Sequence, residues 1–190
     1  LTVPEYGTAF RLFAYVYDGQ GGAAVANIPL QVKGQVKLDS VMPASDLPYT
    51  VYADDMPESV YIPSGYMGNT AAVSMQLDCT ENPHSGPTCL KAQYNSSADW
   101  GGVLWQSPAE DWEGKQPGGA NLTGATQLEF WARGAEGGET VNFVFGVLNG
   151  RQPFCDTASG ELKDVKLSKE WTRLTFPLDD FDLRQIKTGF

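Results

Sequence analysis

Trp100, Trp105 and Trp112, three of the chain's five tryptophans, fall within the stretch WGGVLWQSPAEDW. An indole either fills a core or, held out at a strand end, offers a flat apolar face to a flat-faced ligand. Trp100 follows the loop signature NSSAD and precedes Gly101 and Gly102, so it stands where a strand begins and exposure is feasible. Trp105 shares an alternating face with Val103, which favours burial. Trp112 sits in the polar loop PAEDWEGKQPGG, where it either anchors the loop or projects outward. Trp131 alternates away from Leu128 and Phe130, the more natural core pair, and shares its own face with Gln127 and Glu129. That leaves it as a platform or as a ring covered by a loop. Trp171 begins a strand and reads as packing.

Other reactive groups are sparse. Glu110, Asp111 and Glu113 share one loop, and Glu129 and Glu139 lie on or beside strands. Glycoside hydrolysis needs two carboxyl groups about 5–10 Å apart across a cleft, and isolated acids do not establish that arrangement. The single histidine, His84, lies in the turn NPHSG, which argues against a serine or cysteine triad. That lone histidine and the absence of a Cys-x-x-Cys pair argue against zinc. Asp54, Asp55 and Glu58 cluster at one strand end and Asp78 closes the next, as solvated acidic turns or as oxygen donors for calcium. Cys79 and Cys89 flank TENPHSGPT, which places them side by side across a hairpin, as a disulfide or as two small buried residues. Cys155 is left over.

These residues must be held by β-strands. The 190 residues are 42% hydrophobic and 19% charged, a globular composition, with 21 Gly, 12 Pro and no long 3.6-residue period. FRLFAYVY and AAVANIPLQV, separated by DGQGG, read as two strands. Residues 1–36 therefore look like the C-terminal strands of a β domain, and 37–48 like a polar, proline-bearing linker. From residue 49 to 190 the pattern restarts. YTVYAD, TAAVSMQLD, TCLKAQYN, GGVLWQS, TQLEFWARG, ETVNFVFGVL and WTRLTFPL read as strands, with a loop through MPESVYIPSGYMGN. Short strands at spacings of roughly 8–20 residues predict an all-β, antiparallel sandwich or jelly roll. The first residue is Leu1 and not Met, so the segment reads as processed or excised from something longer.

The motifs YMGN, NPHSGPTCLKAQY, WGGVLWQSP, NLTGATQLEFWARGAEGGETVNFVFG and LSKEWTRLTFPLDDFDLRQIKTGF resemble bacterial galactose-binding-like β-sandwich modules appended to glycoside hydrolases. The resemblance covers about residues 50–190, and YGTAFRLFAYVYDGQGGAAVANIPLQV is similar to the last strands of an immunoglobulin-like domain. It implies a non-catalytic carbohydrate-binding module of a secreted or cell-surface protein, with polysaccharide or oligosaccharide as partner. It also implies a structural calcium near Asp54, Asp55 and Asp78. Two departures stand out: Asn69 replaces an expected acidic residue, and the usual final strand is missing, so that a neighbouring chain is one way to supply it.

Sugar rings carry apolar C–H faces and hydroxylated edges, so their sites combine aromatic platforms with paired hydrogen-bonding groups. Trp100, Trp112 and Trp131 are the candidate platforms, and Gln106, Asn142, Asn149 and Arg151 the candidate polar partners. Two other classes compete: an assembly unit of a surface layer completed by strand donation, and a jelly-roll glycanase. A net charge of −10 argues against nucleic acid, and no run approaches the roughly 20 apolar residues of a membrane span.

Overall fold

The computed structural model describes residues 9–17, 23–31, 42–54, 59–150 and 152–189, the first two stretches as backbone. The chain divides into two compact units, Leu1–Pro43 and Ala44–Phe190. In the first, β1 (Ala9–Tyr17) and β2 (Ala23–Gln31) form an antiparallel hairpin, in unbroken register from Ala9 opposite Gln31 to Tyr17 opposite Ala23.

The second unit holds β3 (Ile62–Gly68), β4 (Val73–Cys79), β5 (Cys89–Tyr94) and β6 (Gly101–Gln106), followed by β7 (Gln127–Ala132), β8 (Thr140–Phe145), β9 (Gly160–Lys166) and β10 (Thr172–Pro177). They pair antiparallel as β3–β6, β4–β5, β7–β10 and β8–β9. One turn of 3-10 helix, Thr70–Ala72, joins β3 to β4. The fold is all-β, with no α-helix among the described residues.

Two local expectations are corrected. Tyr49–Asp54 forms no ladder, because side chains and not backbone tie it down. Tyr49, Val51 and Tyr52 pack against the core, and the Tyr52 hydroxyl donates to the Leu77 carbonyl at 3.2 Å. Ile62–Gly68, within a stretch that reads as loop, is instead the strand paired with β6. Its alternation is hidden by Pro63, Ser64 and Gly65, where a bulge shifts the register by one residue. Residues 44 and 45 also join this unit: Ala44 bridges Asn121, and the Ser45 N–H donates to the Asn121 carbonyl.

The core gathers Tyr61, Trp105, Ala120, Leu122, Phe145, Leu178, Leu183 and Ile186. Its aromatic rings meet edge to face, as in Tyr52 against Trp105 at 6.0 Å and Phe145 against Phe176 at 5.5 Å. The Tyr61 hydroxyl is buried with this cluster and donates to the Ile186 carbonyl at 2.7 Å. Residues 186–189 run between two strands: Thr188 bridges Gln106 at the end of β6, and Gly189 bridges Phe145 at the end of β8. The Asp156 carboxylate fastens this segment by accepting from the backbone N–H groups of Lys187 and Thr188 and from the Thr188 hydroxyl. Burial raises the Asp156 carboxyl above its ordinary range, and these donors hold it partly back.

Candidate functional site

β6 has two faces of different character. Val103 and Trp105 point to the core, where Trp105 keeps only 5% of its surface exposed. Gly102, Leu104 and Gln106 alternate onto the opposite face. Across the ladder Leu104 faces Gly65 and Gly102 faces Met67. The Trp112 ring lies directly on Gly65: its Cη2 and Cζ2 are 2.9 Å from where a β-carbon there would sit. The Trp100 ring lies beside Gly102, its Cζ3 3.8 Å from the corresponding point. Both indoles therefore stand on the face of the β3–β6 ribbon that turns away from the core. Gly102 and Leu104 are about 7 Å apart along the strand, which sets the two ring positions in tandem. Trp100 is 61% exposed and Trp112 43%.

Trp100 is held by the short connection from β5. The Tyr94 ring packs over Gly101 and its hydroxyl donates to the Ala98 carbonyl at 2.7 Å, fastening the connection. Asp99 adopts a left-handed φ of 61°, which turns the chain into β6. The Trp100 carbonyl accepts the Asn69 N–H at 2.8 Å. Gly68 makes this approach feasible: it has φ 68°, and a β-carbon there would lie 2.3 Å from the Trp100 carbonyl oxygen. Gly68, Asn69, Asp99 and Trp100 line one open depression. The Asn69 side chain does not cap the helical turn that follows it, and Asp99 is exposed. An amide and a carboxylate thus flank an exposed indole.

Trp112 is held by a longer loop, 107–119. The Glu110 N–H donates to Gln106 Oε1 and to Ser64 Oγ, both at 3.2 Å. The Asp111 carboxylate accepts the N–H groups of Lys115 at 3.2 Å and Gln116 at 3.1 Å, and the Lys187 ammonium at 2.5 Å. Lys187 also donates to the Gln116 carbonyl at 2.7 Å. Burial opposes ionisation of Asp111, but the ammonium and the two N–H donors outweigh it and hold the carboxyl below its ordinary range. Ser107 Oγ closes the loop by accepting the Gly119 N–H.

The remaining candidates lie elsewhere. Gln106 is 1% exposed beneath this loop, and its Oε1 accepts from Ser64 and Glu110, so it supports the loop from below. Trp131 lies opposite Arg173 on β10 and is 42% exposed, with His84 of the loop between β4 and β5 stacked on its ring at 4.0 Å and 20°. Trp171 braces the same loop, its Nε1 donating to the Asn82 carbonyl. Asn142 is exposed on β8, with its Oδ1 accepting the Asp164 N–H at 2.8 Å across the β8–β9 bulge. Asn149 is exposed in the segment after β8. Arg151, Asp55 and Glu58 lie outside the described residues.

Asp54 is engaged by the turn at 86–88, where the Thr88 hydroxyl donates to its carbonyl at 2.6 Å and its carboxylate abuts Gly86. Asp78 is exposed on β4. Among the described residues no group of three or more His, Cys, Asp or Glu side chains gathers as a metal site. Cys79 and Cys89 are directly opposite in the β4–β5 ladder, both as free thiols, with Cys79 buried. Burial and the neighbouring Cys79 raise the Cys89 thiol above its ordinary range.

Sequence reasoning overlooked Asn69 and Asp99 as flanks of Trp100, and Lys187 as the partner of Asp111 in the loop that bears Trp112. One signal pointed to the face that carries the two rings. Gly65 and Gly68 in β3, with Gly101 and Gly102 in β6, mark strand positions where another group approaches the backbone closely. Comparison with family models, curated proteins and solved structures finds no match to this chain.

Proposed function

We propose that the Ala44–Phe190 unit is a non-catalytic, β-sandwich carbohydrate-binding module that holds a neutral polysaccharide across the outward face of β3–β6. One observation carries this reading: Trp100 and Trp112 present exposed rings in tandem on the same face, each seated on glycine. Pyranose C–H faces stack on such rings, and hydroxyl edges take hydrogen bonds from an adjacent amide and carboxylate. Asn69 and Asp99 supply these groups beside Trp100. The openness of the depression beside Trp100 suits a polymer lying along a surface better than a small molecule enclosed in a pocket.

The state of the carboxylates favours binding over hydrolysis. Glu113 pairs with Lys115, Glu129 with Arg173, and Asp111 with Lys187. A general acid of a glycosidase needs a raised pKa. Asp111 is lowered, Glu139 is lowered by the backbone N–H groups around Glu136, and Asp156, which burial raises, is committed to the N–H groups of Lys187 and Thr188. Secretion or surface display follows from a polysaccharide partner.

Affinity electrophoresis through gels containing barley β-glucan, xylan or galactomannan tests the reading. At least one polymer should retard the protein, and Trp100→Ala and Trp112→Ala should each weaken that retardation by about two- to tenfold in Kd. Equal retardation of the wild type and both variants, or migration of the wild type unchanged by any of the three polymers, rejects the assignment.

A further inference from the structure

We infer that the buried Lys187–Asp111 ion pair is a positioning device for Trp112, and that it holds this ring ready before any ligand arrives. The consequence for binding rests on the glycan-binding reading above; the positioning itself does not. The loop 107–119 contains no ladder strand, so something other than sheet register must fix the ring it carries. Asp111 immediately precedes Trp112, and its side chain is 5% exposed against 1% for Lys187. The two are 76 residues apart in sequence, and Lys187 belongs to the segment fastened between β6 and β8.

The geometry specifies which part of the loop depends on the pair. Asp111 accepts the N–H groups of Lys115 and Gln116 and so closes the turn 111–116 on itself, while Lys187 clamps both the carboxylate and the Gln116 carbonyl at the turn's end. The base of the loop has separate fastenings, at Gln106 and Ser64 on one side and between Ser107 and Gly119 on the other, and within the turn the Gly114 carbonyl accepts the Phe154 N–H at 3.1 Å. Removing the ammonium should therefore loosen the turn that bears Trp112 and leave the base in place. Trp100 is held by Tyr94, Gly68 and Asn69 and by none of these groups, so its ring serves as the internal reference. A ring that needs no ordering when the ligand binds loses less entropy in the complex.

The test replaces tryptophan with 5-fluorotryptophan and follows the ¹⁹F resonances of the whole chain, with Trp112→Phe and Trp100→Phe identifying two of them. Lys187→Met should move the Trp112 resonance and raise its exposure to a soluble paramagnetic chelate, while the Trp100 resonance stays in place. If that variant does not fold, Asp111→Leu with Lys187→Met removes both charges and leaves neither unpaired in the interior. A Trp112 resonance unmoved in a folded variant overturns the inference, as does equal movement of Trp100.

Affinity gels of the retarding polymer add a second arm. Lys187→Met should weaken retardation by the same two- to tenfold as Trp112→Ala, and should add nothing further in the Trp112→Ala background. Full additivity of the two losses also overturns the inference. If no polymer retards the wild type, the binding reading fails on its own and the resonances alone decide the positioning.

Discussion

At the residue scale, the candidate face is made by glycines as much as by tryptophans. Trp112 rests on Gly65 and Trp100 on the backbone around Gly68 and Gly102, so each bare position admits a ring where a side chain would stand. The three positions are not equivalent. Gly68 combines a left-handed φ of 68° with a carbonyl oxygen 2.3 Å from the β-carbon position, whereas the space at Gly102 begins at 3.8 Å. Gly68→Ala should destabilise the unit by about 1–3 kcal/mol, while Gly102→Ala should change stability by less than about 1 kcal/mol. Urea denaturation of both variants checks the contrast, and equal midpoints would contradict the assigned geometry. Much of this was visible in the chain itself. The alternation of Val103 and Trp105 against Gly102 and Leu104 placed Trp105 inside, and NSSAD before Trp100 marked a strand end. Gln106 was misplaced because a polar residue ending a strand reads as exposed. No local pattern revealed that Glu110 and Ser64 would cover it.

At the scale of elements, the four ladders of the second unit are short, and what joins them is largely side-chain packing and loop chemistry. β4 and β5 illustrate this. Cys79 and Cys89 face each other across the ladder, where opposed Cα atoms lie about 4.5–5.5 Å apart, inside the range a disulfide spans. Oxidation with oxidised glutathione should therefore join these two and leave Cys155, which is buried, as the free thiol. The cross-link should raise stability by about 2–3 kcal/mol, since it closes a loop of about ten residues. Thiol titration of the unfolded protein before and after oxidation, with peptide mapping, checks the pairing, and a Cys155-containing disulfide would contradict the register. The flanking turn TENPHSGPT made this pairing legible in sequence. The same turn's other role was not: its His84 stacks on Trp131, a residue 47 positions onward on another ladder. Strand β3 was hidden for a related reason, since its bulge at Pro63–Gly65 erases the period-two pattern.

At the scale of the whole molecule, the decisive link is the one between loop 107–119 and the segment 186–189. It joins a buried carboxylate to a buried ammonium and thereby couples the candidate face to the end of the described chain. Asp111 has a folded-state pKa below its unfolded value, so its contribution to stability is present above the unfolded pKa and is lost as pH falls through the folded one. Asp156 has the opposite sign: its raised pKa gives a contribution present at low pH and lost as pH rises through the folded value. The share of stability that Asp111 supplies should accordingly be lost below about pH 4, so the melting temperature of the wild type should fall there relative to that of Asp111→Asn, in which Asp156 is unchanged. Asp111→Asn should be less stable at pH 7 by about 3–5 kcal/mol, because Lys187 is left buried without its partner, and its loss toward acid should be shallower. Calorimetry of both proteins from pH 7 to pH 3 checks this, and parallel acid limbs would refute the assigned pair. The net charge of −10 sets a further condition at this scale, since a surface of that sign repels anionic polymers and leaves neutral ones unopposed.

The sequence by itself determined the antiparallel all-β character, most strand positions, the burial of Trp105 and the opposition of Cys79 and Cys89. Each follows from short-range terms: period-two alternation, turn-forming residues, and the two-residue repeat that sends neighbouring side chains to opposite faces. Only the tertiary structure decided that Trp100 and Trp112 share one face, that His84 stacks on Trp131, and that Lys187 pairs with Asp111, the residue before Trp112. Those relations join residues from different ladders and loops. They depend on register across a bulged strand pair and on the burial of opposite charges 76 residues apart, and neither is encoded in any contiguous stretch.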